Sequence, residues 1–293
     1  MNEAYQFSES EPLLRLGAFG VIFLVMAITE LLAPRLERPE LAGAYKSRRW
    51  ITNIAIVLIS SLALRLVFVS RETKPTDEVN NWLAAVGTAI WAQSHGYGLF
   101  PLLGLPVWFS GILAFIILDF AVWLEHLVSH KWPLLWRIHR MHHADTGVDL
   151  TTALRFHPLE IVLSMVWKAA VVVAMGAPAA AVLVFEIVLN GAAMFNHANI
   201  RLPKPVDRIL RRLIVTPDMH RIHHSTDRRE TDSNYGFNLS IWDRMFATYT
   251  RDPRRGDTDI EIGLSEWRGR EASQLGWSLT LPFRNSKRNQ PAE

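Results

Sequence analysis

The sequence contains no cysteine among its 293 residues. Disulfide bonds, thiolate metal ligands and cysteine nucleophiles are therefore excluded, and nothing in the sequence indicates a redox compartment. Charged residues make up 20% of the chain, less than the quarter that is usual in soluble domains. The formal net charge of +3 is too small to argue for binding to nucleic acid, so no nucleic-acid partner is expected.

Long apolar runs take the place of the missing charge. A helix that spans a bilayer needs ~20 mostly apolar residues, and such runs occupy 13–34, 50–70, 105–124, 159–175 and 179–194. The segment 82–104 is weaker because it contains glycines, a histidine and a proline, and we interpret it as broken, re-entrant or interfacial. Gly176-Ala177-Pro178 predicts a tight hairpin between the last two runs. We therefore expect an all-α integral membrane protein with four to six membrane-embedded helices.

The positions of Lys and Arg predict the orientation of these spans. The first run is expected to be a true span, because it is long and no basic flank precedes it. Acidic residues precede it, namely Glu3, Glu9 and Glu11, and basic residues follow it, namely Arg35, Arg38, Lys46, Arg48 and Arg49. Basic residues also follow the third and fifth runs, at Lys131, Arg137, Arg140, Lys204, Arg208, Arg211 and Arg212. The prediction is an external N-terminus, with every histidine cluster on the cytoplasmic face.

Histidines are concentrated in one part of the chain, since ten of the eleven fall between His126 and His224. His126 and His130 stand four apart at the end of a span, a spacing that shares one helix face. Two H-x-x-H-H units follow, at His139-Arg140-Met141-His142-His143 and at His220-Arg221-Ile222-His223-His224. Neutral imidazole is a ligand for iron, zinc, copper and nickel. So many imidazoles exceed the needs of one ion, and the pattern predicts a site for two ions without identifying the metal.

Simpler explanations apply to single members of this set. One H-x-x-H-H unit alone would be compatible with chance or with a pH-responsive patch, but two units and a four-apart pair on one membrane face are not. The outlying His95 is expected to be an ordinary packed or solvated side chain. A histidine-rich zinc transporter or metal-binding protein is a competing function. A transporter would hold its ligands near the bilayer midplane, whereas these histidines gather at the span ends.

The motifs resemble those of the sterol desaturase and fatty acid hydroxylase superfamily. Residues 119–130 and 135–143 resemble its first two histidine boxes, and Arg155-Phe156-His157-Pro158-Leu159-Glu160 resembles its central motif. Further similar segments are 196–203, 217–224, 232–236 and 242–249. Leu127 departs from the pattern, since many members have arginine after that histidine. The resemblance implies a catalytic domain at 105–250, with membrane segments at 1–104 before it and a polar tail at 251–293 after it.

The resemblance also implies a cytosolic helical cap that holds a dimetal site. The implied ligands are His126, His130, His139, His142, His143, His220, His223 and His224, with His197 as a ninth. His157 is either a ligand or an outer residue that closes the site, and we favour the latter. Ligating histidines need acceptors for their second ring nitrogen, and the candidates are Asp119, Asp218, Asp232, Glu160 and Asn199. Helix capping or surface charge is the alternative role for each of these five.

A membrane-bound di-iron oxygenase is the function that the resemblance implies, although zinc is also compatible with the ligands. Cleavage of an unactivated C–H bond needs an oxidant made from O2 at a metal. The substrate would be a sterol, fatty acyl chain, carotenoid or alkyl glycerol, and hydroxylation, desaturation and ether cleavage all remain open. Trp123, Trp136 and Phe156 are candidates for the wall of a substrate channel, or else pack against lipid.

Electrons for such a reaction must come from another protein. The sequence lacks cysteines for an iron–sulfur cluster and lacks a G-x-G-x-x-G nucleotide motif. We therefore expect a ferredoxin- or cytochrome-type donor with its own reductase. Basic residues such as Arg208, Arg211 and Arg212 would steer an acidic partner, or they would set topology and contact lipid headgroups.

Overall fold

The computed structural model of the chain describes residues 3–36, 43–68, 85–256 and 259–285, with side chains from residue 10 onward. Several features of the sequence analysis lie outside these described residues. They are the side chains of Glu3 and Glu9, the residue Arg38, the first three residues of the 82–104 segment, and the part of the polar tail from 286 onward.

The described residues are helical, with no strand among them and three isolated β-bridges. The α-helices are α1 (Glu3–Leu32), α2 (Ala44–Phe68), α3 (Ala85–Ser94), α4 (Leu99–Leu102), α5 (Val107–Lys131), α6 (Pro133–His143), α7 (Pro158–Met175), α8 (Ala179–His197), α9 (Lys204–Leu210), α10 (Pro217–His223), α11 (Arg228–Thr231), α12 (Ile241–Met245) and α13 (Leu275–Thr280). Short 3₁₀ helices occupy Leu150–Leu154, Glu271–Ser273 and Leu281–Phe283. The predicted all-α fold is confirmed.

Five of these helices are long and apolar enough to cross a membrane. They are the segments Ser10–Leu32, Ala44–Val67, Val107–Lys131, Pro158–Met175 and Ala179–His197. Most of the α1 surface is exposed, and a lipid environment would satisfy its leucines and valines. The protein is therefore an integral membrane protein, and the spans agree with the five strong apolar runs of the sequence.

The weaker segment forms the two separate helices α3 and α4. With ten residues, α3 is ~15 Å long, half the ~30 Å thickness of a hydrocarbon core. Both helices pack beside the turn between α7 and α8, where the side chain of Gln93 accepts a hydrogen bond from the Ala179 amide. A Cβ on Gly98 would lie 2.1 Å from the Gly176 nitrogen, so this contact requires glycine. The prediction of a broken segment is confirmed for 85–104.

The two ends of the helical bundle differ in character. The turn at Gly176 defines the hairpin end, and the opposite end, where His126 and His197 lie, is the histidine end. The short α3 and α4 lie at the hairpin end. From there α5 runs to the histidine end, α7 returns to the hairpin end, and α8 runs to the histidine end again. Polar contacts tie the helices together there, because Arg49 of α2 binds Asp145 through two nitrogens at 2.7 and 2.8 Å.

The segment after residue 259 packs against the helices of the histidine end. Leu264, Ala272 and Leu281 are buried with Met141 of α6, and five partly buried hydrophobic residues flank them, among which are Trp267, Leu275 and Trp277. The guanidinium of the fully buried Arg155 donates hydrogen bonds to the Met141 carbonyl, the Asn53 side chain and the Ser278 hydroxyl. Trp267, Leu275, Trp277 and Leu281 thus pack against α6 and help to hold it in place.

Candidate dimetal site

The first two histidine motifs meet because the chain bends between α5 and α6. His126 and His130 lie one turn apart on α5. Trp132 has an extended backbone that ends α5, and Pro133 occupies the first turn of α6, where its missing amide proton is not needed. The bend returns α6 across the end of α5, which brings His139, His142 and His143 beside the α5 pair.

The remaining histidines come from α8 and α10. His197 is the last residue of α8. The short α10 begins after Thr216, whose hydroxyl accepts a hydrogen bond from the Met219 amide, and it carries His220 and His223, with His224 at its end.

Nine histidines form two compact groups at the histidine end. In each group, one nitrogen per ring lies within 4.8 Å of the others, and every member is buried. The five-histidine group contains His126, His130, His139, His143 and His223, and the four-histidine group contains His142, His197, His220 and His224. The structure thus brings together all nine histidines that the sequence nominates as ligands.

The geometry of the ring nitrogens fits metal ions. The Nε2 atom of His143 lies 3.1 Å from those of both His130 and His139. In the four-histidine group, the His197 Nε2 atom lies 3.1 Å from that of His142 and 3.0 Å from that of His220. Two nitrogens bound at ~2.1 Å to one ion and at right angles would be ~3 Å apart. Both groups therefore have the nitrogen spacing that a shared ion requires.

An unpaired nitrogen points to the same conclusion. The buried Nε2 atom of His223 has no hydrogen-bond partner among the described residues, although a buried polar atom without a partner is costly. Its Nδ1 atom lies 2.7 Å from the Ser233 carbonyl, to which it donates its proton. The free Nε2 lone pair is then available to an ion held with the other members of the five-histidine group. The residues present fit a pair of metal ions.

Burial also keeps these rings in their metal-binding form. Burial lowers the pKa of His142, His143, His220 and His224 well below the usual value, and neighbouring histidines lower it further. Burial lowers the pKa of His223 to about 3. At neutral pH these imidazoles are therefore uncharged, as metal ligation requires.

Backbone carbonyls orient two more rings. The Nδ1 atoms of His126 and His197 lie 2.7 Å from the carbonyls of Tyr235 and Ala193, respectively. A proton fixed on Nδ1 leaves the Nε2 lone pair directed into the group. The sequence analysis missed the role of Tyr235, because every residue carries a carbonyl and composition does not identify acceptors.

Two of the five proposed side-chain acceptors contact histidines. Glu160 Oε1 lies 2.5 Å from His139 Nδ1, and Asp232 Oδ1 lies 3.7 Å from His130 Nδ1. Asp232 also binds Lys131 and Arg228, at 3.2 and 2.6 Å. Both carboxylates therefore lie on the outer side of the five-histidine group.

The other three acceptors bind elsewhere. Asp119 accepts hydrogen bonds from the Trp242 indole at 2.8 Å and from the Leu239 amide at 3.3 Å. Asn199 contacts Leu36 and the Arg221 guanidinium, and Asp218 pairs with Arg35. Asp119 shares the face of His126 but lies ~10 Å deeper in the helix, so it meets the loop after α11 instead of the rings.

His157 stands apart from both groups. Its Nδ1 atom accepts a hydrogen bond from the Leu159 amide and so caps α7, and its Nε2 atom donates to the Leu279 carbonyl at 3.2 Å. Both ring nitrogens are therefore occupied. Glu160 lies in the first turn of α7, the helix that His157 caps. His157 therefore positions the helix that carries the carboxylate partner of His139.

The three candidate channel aromatics have different surroundings. The Phe156 ring stacks on His142 with centroids 4.3 Å apart and lines a cavity beside the site. Trp136 contacts His130 and His143, at centroid distances of 4.9 and 5.4 Å, on the side away from that cavity. Trp123 packs on Phe246, and neither tryptophan is among the described residues that line the cavity.

Asp243 organises the loop behind His126. It accepts hydrogen bonds from the Tyr235 and Gly236 amides, both at 2.9 Å, and from the Trp123 indole at 3.1 Å. Burial raises the pKa of its carboxyl group above the usual value, and these hydrogen bonds offset part of that rise. The signal in the sequence was an acidic residue within the 242–249 motif. The partners of Asp243 could not be predicted, because they depend on how the loop folds.

A cavity of about 220 Å³ connects the site to the membrane region. Its wall includes His126 and His139 of the five-histidine group and residues from α1, α2, α5, α7 and α8. An apolar groove of about 480 Å³ adjoins it along α5, α6 and α7, and the two spaces share Glu125, Ser129 and Glu160. The groove and the cavity are therefore neighbouring spaces, and the cavity reaches the rings of His126 and His139.

Comparison with known proteins agrees with this geometry. Residues 111–248, which carry all nine histidines, match the fatty acid hydroxylase family. Over these residues the chain is similar to members of the sterol desaturase and fatty acid hydroxylase superfamily. The resemblance seen in the sequence motifs is therefore confirmed. No solved structure matches the chain.

Among curated relatives, the ornithine lipid hydroxylase of Rhizobium tropici is 30% identical over 63% of this chain and 54% of its own length. The alkylglycerol monooxygenases of Homo sapiens and Danio rerio are 29% and 31% identical, over 48% and 47% of this chain and 30% of their own lengths. The matched region thus spans between about a third and about half of these relatives.

Proposed function

We propose that this protein is a membrane-bound di-iron oxygenase that hydroxylates a lipid. The observation that supports the proposal is that nine buried imidazoles form two groups, one of which borders a cavity within the membrane helices. We propose all nine as metal ligands, with Glu160 and Asp232 as outer acceptors. The names of the relatives describe hydroxylation or mono-oxygenation of lipids, and this favours hydroxylation over desaturation.

The proposed reaction balances with an external source of electrons. A substrate R–H, O2, two electrons and two protons give R–OH and H2O. Two bound irons would supply the oxidising power that no amino-acid side chain has. The electrons come from a ferredoxin- or cytochrome-type donor with its reductase. The exposed Arg208 and Arg212, near the histidine end, are suited to steer an acidic donor.

The number of ligands favours iron over zinc. Structural zinc sites are almost always tetrahedral with four protein ligands, and catalytic zinc sites keep three. Five imidazoles around one ion exceed both numbers and suit a six-coordinate metal that has one position left for another molecule. The four-histidine group is compatible with either metal, so zinc in the isolated protein would be expected to occupy that group first.

The residues around the ligands bind, orient and exclude water. The Glu160 carboxylate accepts a hydrogen bond from the Nδ1–H group of His139 and fixes the direction of that ring. Phe156 covers one face of His142, which keeps water from the four-histidine group on the cavity side. In this proposal the hydrocarbon chain lies in the apolar groove. The carbon that is oxidised lies in the cavity, beside His126 and His139.

We also propose the orientation and the division of the chain. The histidine end faces the cytoplasm, because Lys and Arg concentrate in the segments at that end. Residues 105–250 form the catalytic domain, 1–104 contribute spans and the interfacial α3 and α4, and 251–293 follow as a polar segment. The external donor would therefore dock from the cytoplasm.

Metal analysis tests the proposal most directly. The protein would be reconstituted anaerobically with ferrous iron, and its metal content and Mössbauer spectrum recorded before and after exposure to O2. Two irons per chain that become oxidised, followed by a hydroxylated product from a membrane lipid extract, are the expected result. One metal per chain, or zinc that iron does not replace, would overturn it in favour of a zinc-binding or zinc-transport role. An alkene product would retain the oxygenase but replace hydroxylation with desaturation.

A further inference from the structure

One part of the wall of the cavity beside the five-histidine group is polar, although most of the lining is apolar. Glu125 of α5 and Ser164, Lys168 and Asn190 of α7 and α8 all line it. The Ser164 hydroxyl donates to Glu125 Oε2 at 3.1 Å. Ser164 and Lys168 follow Glu160 at one-turn intervals on α7, so the polar surface extends ~12 Å from the histidine rings into the bundle.

Charges in this wall are joined into a network across the spans. The Lys168 ammonium lies 3.4 Å from Glu186 of α8, and Glu186 also binds Arg15 of α1 at 3.2 Å. Arg15 in turn pairs with Glu11 at 3.3 Å. Glu125 and Glu160 add two acids on the cavity side, so the lining has more acceptors than donors, and the buried Oε2 atom of Glu160 has no partner among the described residues.

The adjoining groove is lined almost entirely by apolar side chains. Its walls include Leu124, Val128, Leu135, Ile138, Leu163 and Trp167. Ionisable groups inside membrane spans are costly and mark functional pathways by default, and a substrate that reacted in the middle of a hydrocarbon chain would gain nothing from them. The cavity therefore offers polar side chains close to the candidate metal ligands, and the neighbouring groove is apolar. Together they complement an amphiphilic molecule.

We propose that the substrate is a lipid with a hydrogen-bond-donating polar group, which binds in the cavity against Glu125 and Lys168 while its chain lies in the groove. This inference rests on the proposed function and narrows its substrate class. Since Glu125 adjoins His126 in sequence and both line the cavity, the carbon that is oxidised lies within a few bonds of that polar group. Glu125 and Lys168 are accordingly specificity-determining residues that contact the substrate.

Two kinds of polar group share this chemistry. A hydroxyl group donates to the Glu125 carboxylate and accepts from the Lys168 ammonium. An ammonium group pairs with Glu125 and is repelled by Lys168. Substitution at Lys168 therefore separates the two cases, because it weakens the binding of a hydroxyl-bearing lipid and strengthens the binding of an ammonium-bearing one.

Binding to the metal-free protein in phosphatidylcholine nanodiscs tests the inference without turnover. Radiolabelled hexadecylglycerol would be displaced by unlabelled hexadecylglycerol, hexadecylamine or hexadecane, which share one chain length. We expect at least a tenfold preference for one of the two polar lipids over hexadecane. Glu125→Gln should lower the affinity for the preferred lipid at least tenfold. Lys168→Met should lower the affinity for a hydroxyl-bearing lipid and raise the affinity for an ammonium-bearing one. Equal displacement by hexadecane in the unaltered protein would overturn the inference, even if the variants failed to fold.

Matched controls come from exposed residues outside the cavity. Glu261→Gln and Lys204→Met make the same chemical changes at exposed positions of the described chain, and neither should alter the affinity for hexadecylglycerol. A loss of affinity in these controls equal to that of the cavity variants would contradict the specific role of Glu125 and Lys168.

Turnover then separates this inference from the proposed function. Iron-loaded protein with a reductant and O2 should hydroxylate the preferred polar lipid within a few bonds of its polar group. Product at mid-chain positions, with equal rates on hexadecane, would overturn the inference and leave the oxygenase standing. The absence of any product or O2 uptake with two irons bound would overturn the oxygenase, while the binding preference would still decide between polar and apolar ligands.

Discussion

The two histidine groups lie side by side but have different surroundings. Two rings of the five-histidine group line the cavity, and carboxylates stand behind two of its rings, at His139 and His130. No carboxylate contacts the four-histidine group in the described part of the chain, where His197 donates to a backbone carbonyl and Phe156 covers His142. A carboxylate partner makes a histidine ligand more electron-rich. Under the proposed function, an ion held by the five-histidine group would lie next to the substrate, and an ion held by the four-histidine group would be more enclosed.

The largest expected effect separates the two groups by their metal content. His223→Ala removes a ligand from the five-histidine group, and His220→Ala removes one from the four-histidine group. Either change should lower turnover by more than ~100-fold, since loss of an outer partner alone costs 10–100-fold. Metal content and Mössbauer spectra should show that each variant loses iron mainly from its own group.

His142→Ala should behave like His220→Ala, since both residues belong to the four-histidine group. Full activity in any of these variants would remove that residue from the ligand set. Identical spectra for His223→Ala and His220→Ala would instead contradict the division into two separate groups.

The sequence predicts which histidines meet but not how they divide. The resemblance to the family motifs implied all nine as ligands, yet His142 and His143 are adjacent in α6 and join different groups, as do His223 and His224. Neighbouring residues on a helix point ~100° apart, so one unit serves two ions only when helices on both sides are in place. The carbonyl partners of His126 and His223 were also unreadable, because they depend on how the 232–236 loop folds over the rings.

Charges in the spans were a signal that the sequence analysis did not use. Lys168 and Glu186 stand inside apolar runs, and such residues mark functional sites by default. Their pairing across α7 and α8 was not predictable, because it depends on the rotation of two helices about their axes. Asp119 also lies within a span and was one of the candidate acceptors, and in the structure it binds Trp242.

Acid should destabilise the metal-free protein through both groups. The pKa values of His142, His143, His220, His223 and His224 lie below their usual value in the folded state. The unfolded chain therefore binds more protons below pH ~6.5. The stabilisation is complete above pH ~6.5 and is lost as the pH falls, by about 1.4 kcal/mol per pH unit for each histidine that stays neutral.

Melting temperatures of metal-free protein at pH 7.5, 6.5 and 5.5 would measure this loss. For His223 the loss continues to about pH 3, where that residue protonates in the folded state. His223→Leu should reduce the pH dependence by roughly one proton. A melting temperature that does not change between pH 7.5 and 5.5 would contradict the buried, neutral state of these rings.

The carboxylates of the five-histidine group offer a finer comparison. Glu160→Gln leaves an amide at 2.5 Å from His139 Nδ1 and should lower iron affinity or turnover by 10–100-fold. Asp232→Asn should have a smaller effect, because Asp232 is 3.7 Å from His130 and already neutralised by Lys131 and Arg228. Iron titration gives the affinity without involving the substrate. A larger loss from Asp232→Asn would reverse the importance that the distances assign.

The smallest effect is expected at His95, the one histidine outside the 126–224 region. It is exposed near the hairpin end, where its Nδ1 atom lies 2.9 Å from the Trp91 carbonyl and its ring lies 4.9 Å from that of Trp91. His95→Ala should change stability by less than about 0.5 kcal/mol, as is usual for surface substitutions, and should leave iron content and turnover unchanged. It is therefore the matched control for every histidine-to-alanine variant above. A loss of iron in His95→Ala would mean that histidine substitutions disturb the site from a distance, and the contrast between the two groups would then need conservative replacements such as His→Gln.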